Sequence, residues 1–349
     1  MKKIISLILA AVMLLSLAAC GQQEAQPTAA PTEAPVVTEA VPETTAVPET
    51  QPAAVPVNVM VLNGTTGFGM ANLMDAANNG QAAQEYNFTV ETDASNIVAA
   101  LANGSVDIAA LPTNAAAAVY NKTQGKVQVL ALNTLGVLYL VGTGDAASIE
   151  SVEDLAGWNV YAPAQNPSFI FQHIVEANGL TGVTIDNTYA QPADLNTAVA
   201  SGEISLAVLP EPMVTVARSK NPELKVLLDL TEEWDKIAPA GSLVQGCVVV
   251  RKEFAEKNQA AVETFLAEYG ASIEALTTDI EGTAAKIEAT GIFTKAAVAA
   301  KAIPNCNVCF ITGEDMKAAL SEFLTIMHGV APASVGGSIP GDDFYCILN

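Results

Sequence analysis

Asn103-Gly104-Ser105-Val106-Asp107-Ile108-Ala109-Ala110-Leu111-Pro112 is answered, 98 residues on, by Ser201-Gly202-Glu203-Ile204-Ser205-Leu206-Ala207-Val208-Leu209-Pro210. Followed outward without gaps, the likeness runs from Asp93 to Ala117 against Gln191 to Thr215. In each copy an apolar pair four apart, Ile97 with Leu101 and Leu195 with Val199, marks one face of a helix. Glycine stops the helix and a buried strand of about five residues follows. Proline then stands where a new helix begins, since its missing N–H would be unpaired there anyway. An αβ unit ending at a helix N-terminus thus occurs once in each of two similar lobes. Ligands of open α/β sheets bind beyond the carboxyl ends of strands, where helix N-termini present free N–H groups. Two such edges facing one another make a cleft.

The start of the chain is of another kind. Lys2 and Lys3 precede an apolar run from Ile4 to Leu17 and two small residues before Cys20. This pattern is that of a secretory signal, too short for a stable transmembrane helix. Leu17-Ala18-Ala19-Cys20 resembles the lipobox of bacterial lipoproteins, which implies that Cys20 becomes the mature N-terminus and carries a diacylglycerol thioether. Gln22 to Pro56 is almost wholly Pro, Thr, Ala, Glu, Val and Gln. Such a stretch buries too little apolar surface to offset its ordering entropy and is expected to be a disordered tether. Fully extended, it would span at most on the order of 100 Å.

Residues 57–349 suffice for two lobes. The chain is 50% hydrophobic but only 5% aromatic, so the core is aliphatic. Without Lys2 and Lys3 the formal net charge of −22 becomes −24, and five of the acids lie in the tether, leaving about −19 on the body. That charge repels nucleic acid and anionic lipid surfaces, so the lipid anchor is the expected membrane link and nucleic acid is excluded as a partner. Four further cysteines, Cys247, Cys306, Cys309 and Cys346, leave two readings open: a bridge from Cys306 or Cys309 to Cys346, or unpaired buried thiols. With only His173 and His328 in the chain, Cys306-Asn307-Val308-Cys309 has no partners for a zinc site, and no metal or cofactor is expected.

Val57 to Leu62 alternates and branches at Cβ, hence a first strand, followed by the glycine-rich Asn63-Gly64-Thr65-Thr66-Gly67-Phe68-Gly69. This is no phosphate loop, because the Gly-Lys-Ser/Thr ending is absent. Thr65 and Thr66 are expected as cleft donors and Phe68 as an apolar wall. Val127 to Leu132 and Val137 to Val141 are two strands in direct succession, which suits a crossing between lobes. Helices are expected over Gln259 to Leu276, Thr283 to Glu288, Lys295 to Ala302 and Gly313 to Met327. A signal over 1–20 and a tether over 21–56 therefore precede a first lobe of 57–140 plus 246–349 and a second of 141–245.

Ser151-Val152-Glu153-Asp154-Leu155-Ala156-Gly157-Trp158-Asn159-Val160-Tyr161-Ala162-Pro163 opens the second lobe. It resembles the Asp-Leu-x-Gly…Pro signature of type II periplasmic binding proteins. With Leu209-Pro210-Glu211-Pro212 the chain is similar to the nitrate/sulfonate/taurine and thiamine-precursor branch of ABC-transporter substrate-binding proteins. The resemblance implies an α/β fold of two lobes, each a mixed sheet flanked by helices, with a helical C-terminal part packed on lobe one. It also implies an extracytoplasmic, monomeric receptor that closes on a small solute and delivers it to a membrane permease and its ATPase. Carried over by position, the binding segments supply Thr65, Thr66, Phe68, Asp93, Thr113, Asn114, Asn133, Thr134, Gln165, Asn166, Ser168 and Gln191. Glu211 matches the family position but is equally read as holding nearby backbone, and His173 is read as a structural imidazole. These segments hold no Arg or Lys, which favours a neutral heterocycle stacked on Phe68 or Phe169 over a dianion. Some proteins of this fold are enzymes, such as chorismate dehydratases and thiamine-pyrimidine synthases. No Ser/His/Asp or Cys/His set converges here, and the chain is not read as one. A surface interaction lipoprotein, with no closing cleft, is the remaining alternative.

Overall fold

The computed structural model describes residues 55–348, so the signal, Cys20 and nearly all of the tether lie outside the described residues. The strands are β1 (Val57–Leu62), β2 (Tyr86–Glu91), β3 (Ile108–Pro112), β4 (Val127–Thr134), β5 (Leu138–Gly142), β6 (Asn159–Tyr161), β7 (Thr184–Asp186), β8 (Leu206–Pro210), β9 (Lys225–Asp229), β10 (Gly246–Arg251) and β11 (Val308–Ile311). They form a six-stranded sheet ordered β11-β4-β10-β3-β1-β2 and a five-stranded sheet ordered β7-β6-β8-β5-β9. The repeated stretch supplies β3 and β8, each with four buried residues ahead of its proline. Each lies between a parallel strand of its own sheet, β1 or β6, and an antiparallel one, β10 or β5. Those antiparallel neighbours are the first strands laid down after each crossing: the chain leaves the first sheet after Thr134 and returns to it at Gly246. β7 and β11, short strands at sheet edges, carry too little pattern to be read from the sequence.

Asp107, immediately before β3, ties the middle of the first sheet together. Its carboxylate accepts from Asn58 N at 3.0 Å and Asn58 Nδ2 at 2.8 Å on β1, and pairs with Arg251 Nη2 at 2.6 Å at the end of β10. Arg251 Nε donates to Val106 O at 2.8 Å, so the guanidinium is held on two sides.

The C-terminal helices Gln259–Thr278, Ile280–Ala289 and Ala296–Ala302 pack on the first lobe. The last helix, Gly313–Val330, also reaches the second: Met316, Leu320 and Phe323 share one continuous core with Phe171, Leu230, Trp234 and Leu243. Trp234 is fully buried, its ring 5.9 Å from that of Phe323, and Nε1 donates to Ser242 Oγ at 2.8 Å. On its other side His173 stands 5.0 Å away between ring centres. All four described cysteines are free thiols, so the bridge to Cys346 does not form. Cys306 turns inward, its Sγ 3.1 Å from Ala302 O, while Cys309 and Cys346 pack into different apolar clusters.

Burial lowers the pKa of His173, and neighbouring Glu176 opposes this only in part. The unfolded chain therefore takes up a proton near the ordinary value of about 6.5 before the folded one does. Stability is lost as pH falls below that value. The melting temperature is expected to drop more between pH 7 and pH 5 in the wild type than in His173→Gln, and equal drops would remove His173 from the account.

Candidate functional site

The carboxyl ends of β1 and β3 face those of β6 and β8 across a seam between the two sheets. After β3 the helix Thr113–Thr123 begins directly at Pro112, and after β6 the helix Asn166–Ala177 begins at Gln165. Gln165 itself adopts φ +70° at the N-cap of that helix. The first turns meet through their side chains: Asn166 Nδ2 donates to Asn114 Oδ1 at 2.9 Å, and both residues are buried. A second bond crosses where Thr65 Oγ1 donates to Glu211 O at 2.7 Å. A third runs from Tyr139 OH, on β5, to Asn305 O at 2.9 Å.

Beside the seam lie the crossings. In the first, Val137 N donates to Gln245 Oε1 of the second at 2.7 Å. The turn at 305–307 braces both, with Leu135 N donating to Asn307 O at 3.0 Å and Asn307 Nδ2 to Gly136 O at 2.6 Å. A Cβ on Gly136 would run into Thr231 Oγ1 and stand 2.7 Å from Leu243 Cδ2. Overpacking of this sort costs about 1–3 kcal/mol, so Gly136→Ala is expected to lower the melting temperature by several degrees. A variant that melts with the wild type would mean that the two crossings part without strain.

Glu211 is 4% exposed, and burial pushes its carboxyl pKa above the ordinary range. Its Oε2 accepts from Thr215 N at 3.1 Å and Oε1 from Thr215 Oγ1 at 2.9 Å, holding the start of the Met213–Lys220 helix. The carboxylate thus has a structural task already.

The expected site residues divide into three sets. Thr65, Asn114, Asn166 and Ser168 are buried at the seam, Ser168 Oγ donating to Asn187 Oδ1 at 3.4 Å. Thr66, Thr113, Asn133 and Thr134 are tied to one another or to neighbouring backbone. Thr113 Oγ1 donates to Val244 O at 2.7 Å, Asn133 Nδ2 to Thr66 O at 3.0 Å, and Thr134 Oγ1 to Asn133 Oδ1 at 3.1 Å. Asp93, Gln165 and Gln191 are exposed at helix starts, Asp93 accepting from Ser95 N at 2.8 Å. Phe68 belongs to none of these: it is fully buried in the first lobe, edge-on to Phe293 at 6.2 Å, and is a core residue rather than a cleft wall. Phe169 is half-buried against the core that spans both lobes. Tyr139, Asn187, Asn305 and Asn307 join the seam without any local signal in the sequence.

Several solved structures share this architecture. The crystal structure of an ABC transporter from Parabacteroides distasonis superposes with a TM-score of 0.71 at 23% identity, covering 84% of this chain and 99% of that one. The periplasmic aliphatic sulphonate binding protein SsuA from Escherichia coli gives 0.67 at 14% identity, over 83% and 95%. The periplasmic nitrate-binding protein NrtA from Synechocystis gives 0.51 at 11%, over 68% and 66%. No curated protein matches the sequence. The model of the family described as ABC transporter, phosphonate, periplasmic substrate-binding protein matches residues 76–291, well over half of the chain, and the protein belongs to that family.

Proposed function

We propose that the protein is the extracytoplasmic solute receptor of an ABC importer, held to the membrane by a lipid on Cys20, and that its lobes close as a monomer on a small, uncharged polar solute. The meeting of two helix N-termini from opposite lobes through Asn114 and Asn166 carries this reading. Helix starts aim partial positive charge and free N–H groups at one point, and opposite lobes bring them together only on closure. Among the side chains named at the seam there is no Lys or Arg, and the one carboxylate, Glu211, is tied to Thr215. A receptor needs no more than this, whereas an enzyme needs a nucleophile or base with a free lone pair.

The purified chain is expected to carry a solute mass in native mass spectrometry, or to gain a few degrees of melting temperature when a solute is supplied at about 100 times Kd. Small-angle scattering should report a smaller radius of gyration with that solute than without it. A radius unchanged by every solute that binds would remove the closing receptor. Cys20→Ser is expected to move the protein from the membrane fraction to the soluble exported fraction, and a variant still bound to membrane would remove the anchor.

A further inference from the structure

We propose that the solute is recognised by bonding across the joined carboxamides of Asn114 and Asn166, through an adjacent N–H donor and C=O acceptor such as the cis-amide edge of a lactam, ureide or pyrimidinone ring. This rests on the receptor reading and names the chemistry of its site. The two side chains form half of an amide pair. One hydrogen bond joins them, from Asn166 Nδ2 to Asn114 Oδ1, and Asn166 Oδ1 is buried with no partner among the described residues. Asn166 as a whole is only 7% exposed, so bulk water does not serve that oxygen freely. A buried carbonyl left unpaired costs free energy that a native fold recovers somewhere.

The surplus survives any assignment of the amide atoms. Each carboxamide brings one acceptor oxygen and a donor nitrogen. Turning Asn166 alone would set oxygen against oxygen. Turning both moves the leftover donor and acceptor to the opposite residues but leaves one of each. A solute that complements the pair must therefore donate and accept from neighbouring atoms. A fully ionised phosphonate or sulfonate offers acceptors alone. The helix starts of Thr113–Thr123 and Asn166–Ala177 favour an oxygen at this point. Without a side-chain cation beside them, and with a surplus amide acceptor between them, a carbonyl oxygen fits better than a dianion.

Isothermal titration of the purified full chain with uracil, 1,3-dimethyluracil and methylphosphonate tests this directly. Uracil is expected to bind, and the dimethyl compound, of the same ring but lacking N–H, to bind about tenfold to a hundredfold more weakly. Asn166→Ala should cost uracil a similar factor while leaving the ligand-free melting temperature within a few degrees of the wild type. Asn166→Asp, which replaces the amide by acceptors only, should shift preference toward a ring with two adjacent donors, such as 2-aminopyridinium. The proposal is overturned if methylphosphonate binds more tightly than uracil, if the two uracils bind equally, if Asn166→Ala leaves uracil affinity unchanged, or if no ring in the set binds. Methylphosphonate that binds and compacts the chain would leave the receptor standing and remove only the amide-edge recognition. A chain that no bound solute compacts would lose both.

Discussion

Asp107→Ala is expected to destabilise the protein by about 3 kcal/mol, a fall in melting temperature on the order of 10 °C. The carboxylate sits where β1, β3 and β10 come together, accepting two hydrogen bonds from Asn58 and pairing with Arg251. Removing it leaves Asn58 N and Nδ2 without their acceptor and takes from the guanidinium, whose side chain is only 20% exposed, its close carboxylate, leaving Glu253 at 3.8 Å. Breaking one partner of such a pair costs more than the pair itself contributes, because the survivor stays desolvated. The cost falls at the lower end of the usual range because Arg251 keeps some contact with water and a second bond to Val106 O. Asp107→Asn, which retains an acceptor for Asn58, should lose less than half as much. Thermal denaturation of the three proteins decides the matter, and an alanine variant melting within about 2 °C of the wild type would show the knot to be idle.

Trp234→Ala is expected to cost about 3–5 kcal/mol through the cavity it opens, and in addition to change how the lobes move. The indole is fully buried between His173 of the second lobe and Phe323 of the helix that belongs in sequence to the first. Its loss also leaves Ser242 Oγ without the indole donor, in the very segment that returns the chain to the first sheet. The two effects separate experimentally. Chemical denaturation reads the stability loss, while scattering on the folded variant should report a larger radius of gyration than the wild type without solute. Trp234→Phe should recover most of the stability and the compaction. A folded Trp234→Ala protein with unchanged dimensions would place the coupling between lobes elsewhere.

How much of this was legible beforehand follows from the range of the forces involved. The repeated stretch led to β3 and β8 and to the helix starts after them, since burial, glycine and proline act within a few residues of one another. Asn114 and Asn166 came from the family resemblance, which implies binding segments at 113–114 and 164–168; local pattern marks them only as helix starts. Phe68 was misplaced because a four-residue helix entered through Gly64 at φ +85° gives no pattern from which its inward face could be told. Tyr139 and Asn305 meet across 166 positions of sequence, and Thr65 and Glu211 across 146, so no local spacing announces them. The cysteine pairing was open for a similar reason: composition permits a bridge, and only the packing decides against it, with Cys309 and Cys346 in separate clusters and Cys306 Sγ turned to Ala302 O.

The helix Gly313–Val330 has a consequence for what a protease could achieve. The exposed loop at Pro239–Gly241 lies in one of two chain crossings and is a natural place for a cut. In a hinged protein joined only by its crossings, severing one would leave a single thread. Here the fragment after the cut carries Met316, Leu320 and Phe323, and the fragment before it carries Phe171 and Trp234, all within one apolar mass. A nicked chain would therefore run on a denaturing gel as two pieces and on a sizing column as one. Its halves would behave as a non-covalent heterodimer made from a single gene, able to be expressed separately and recombined.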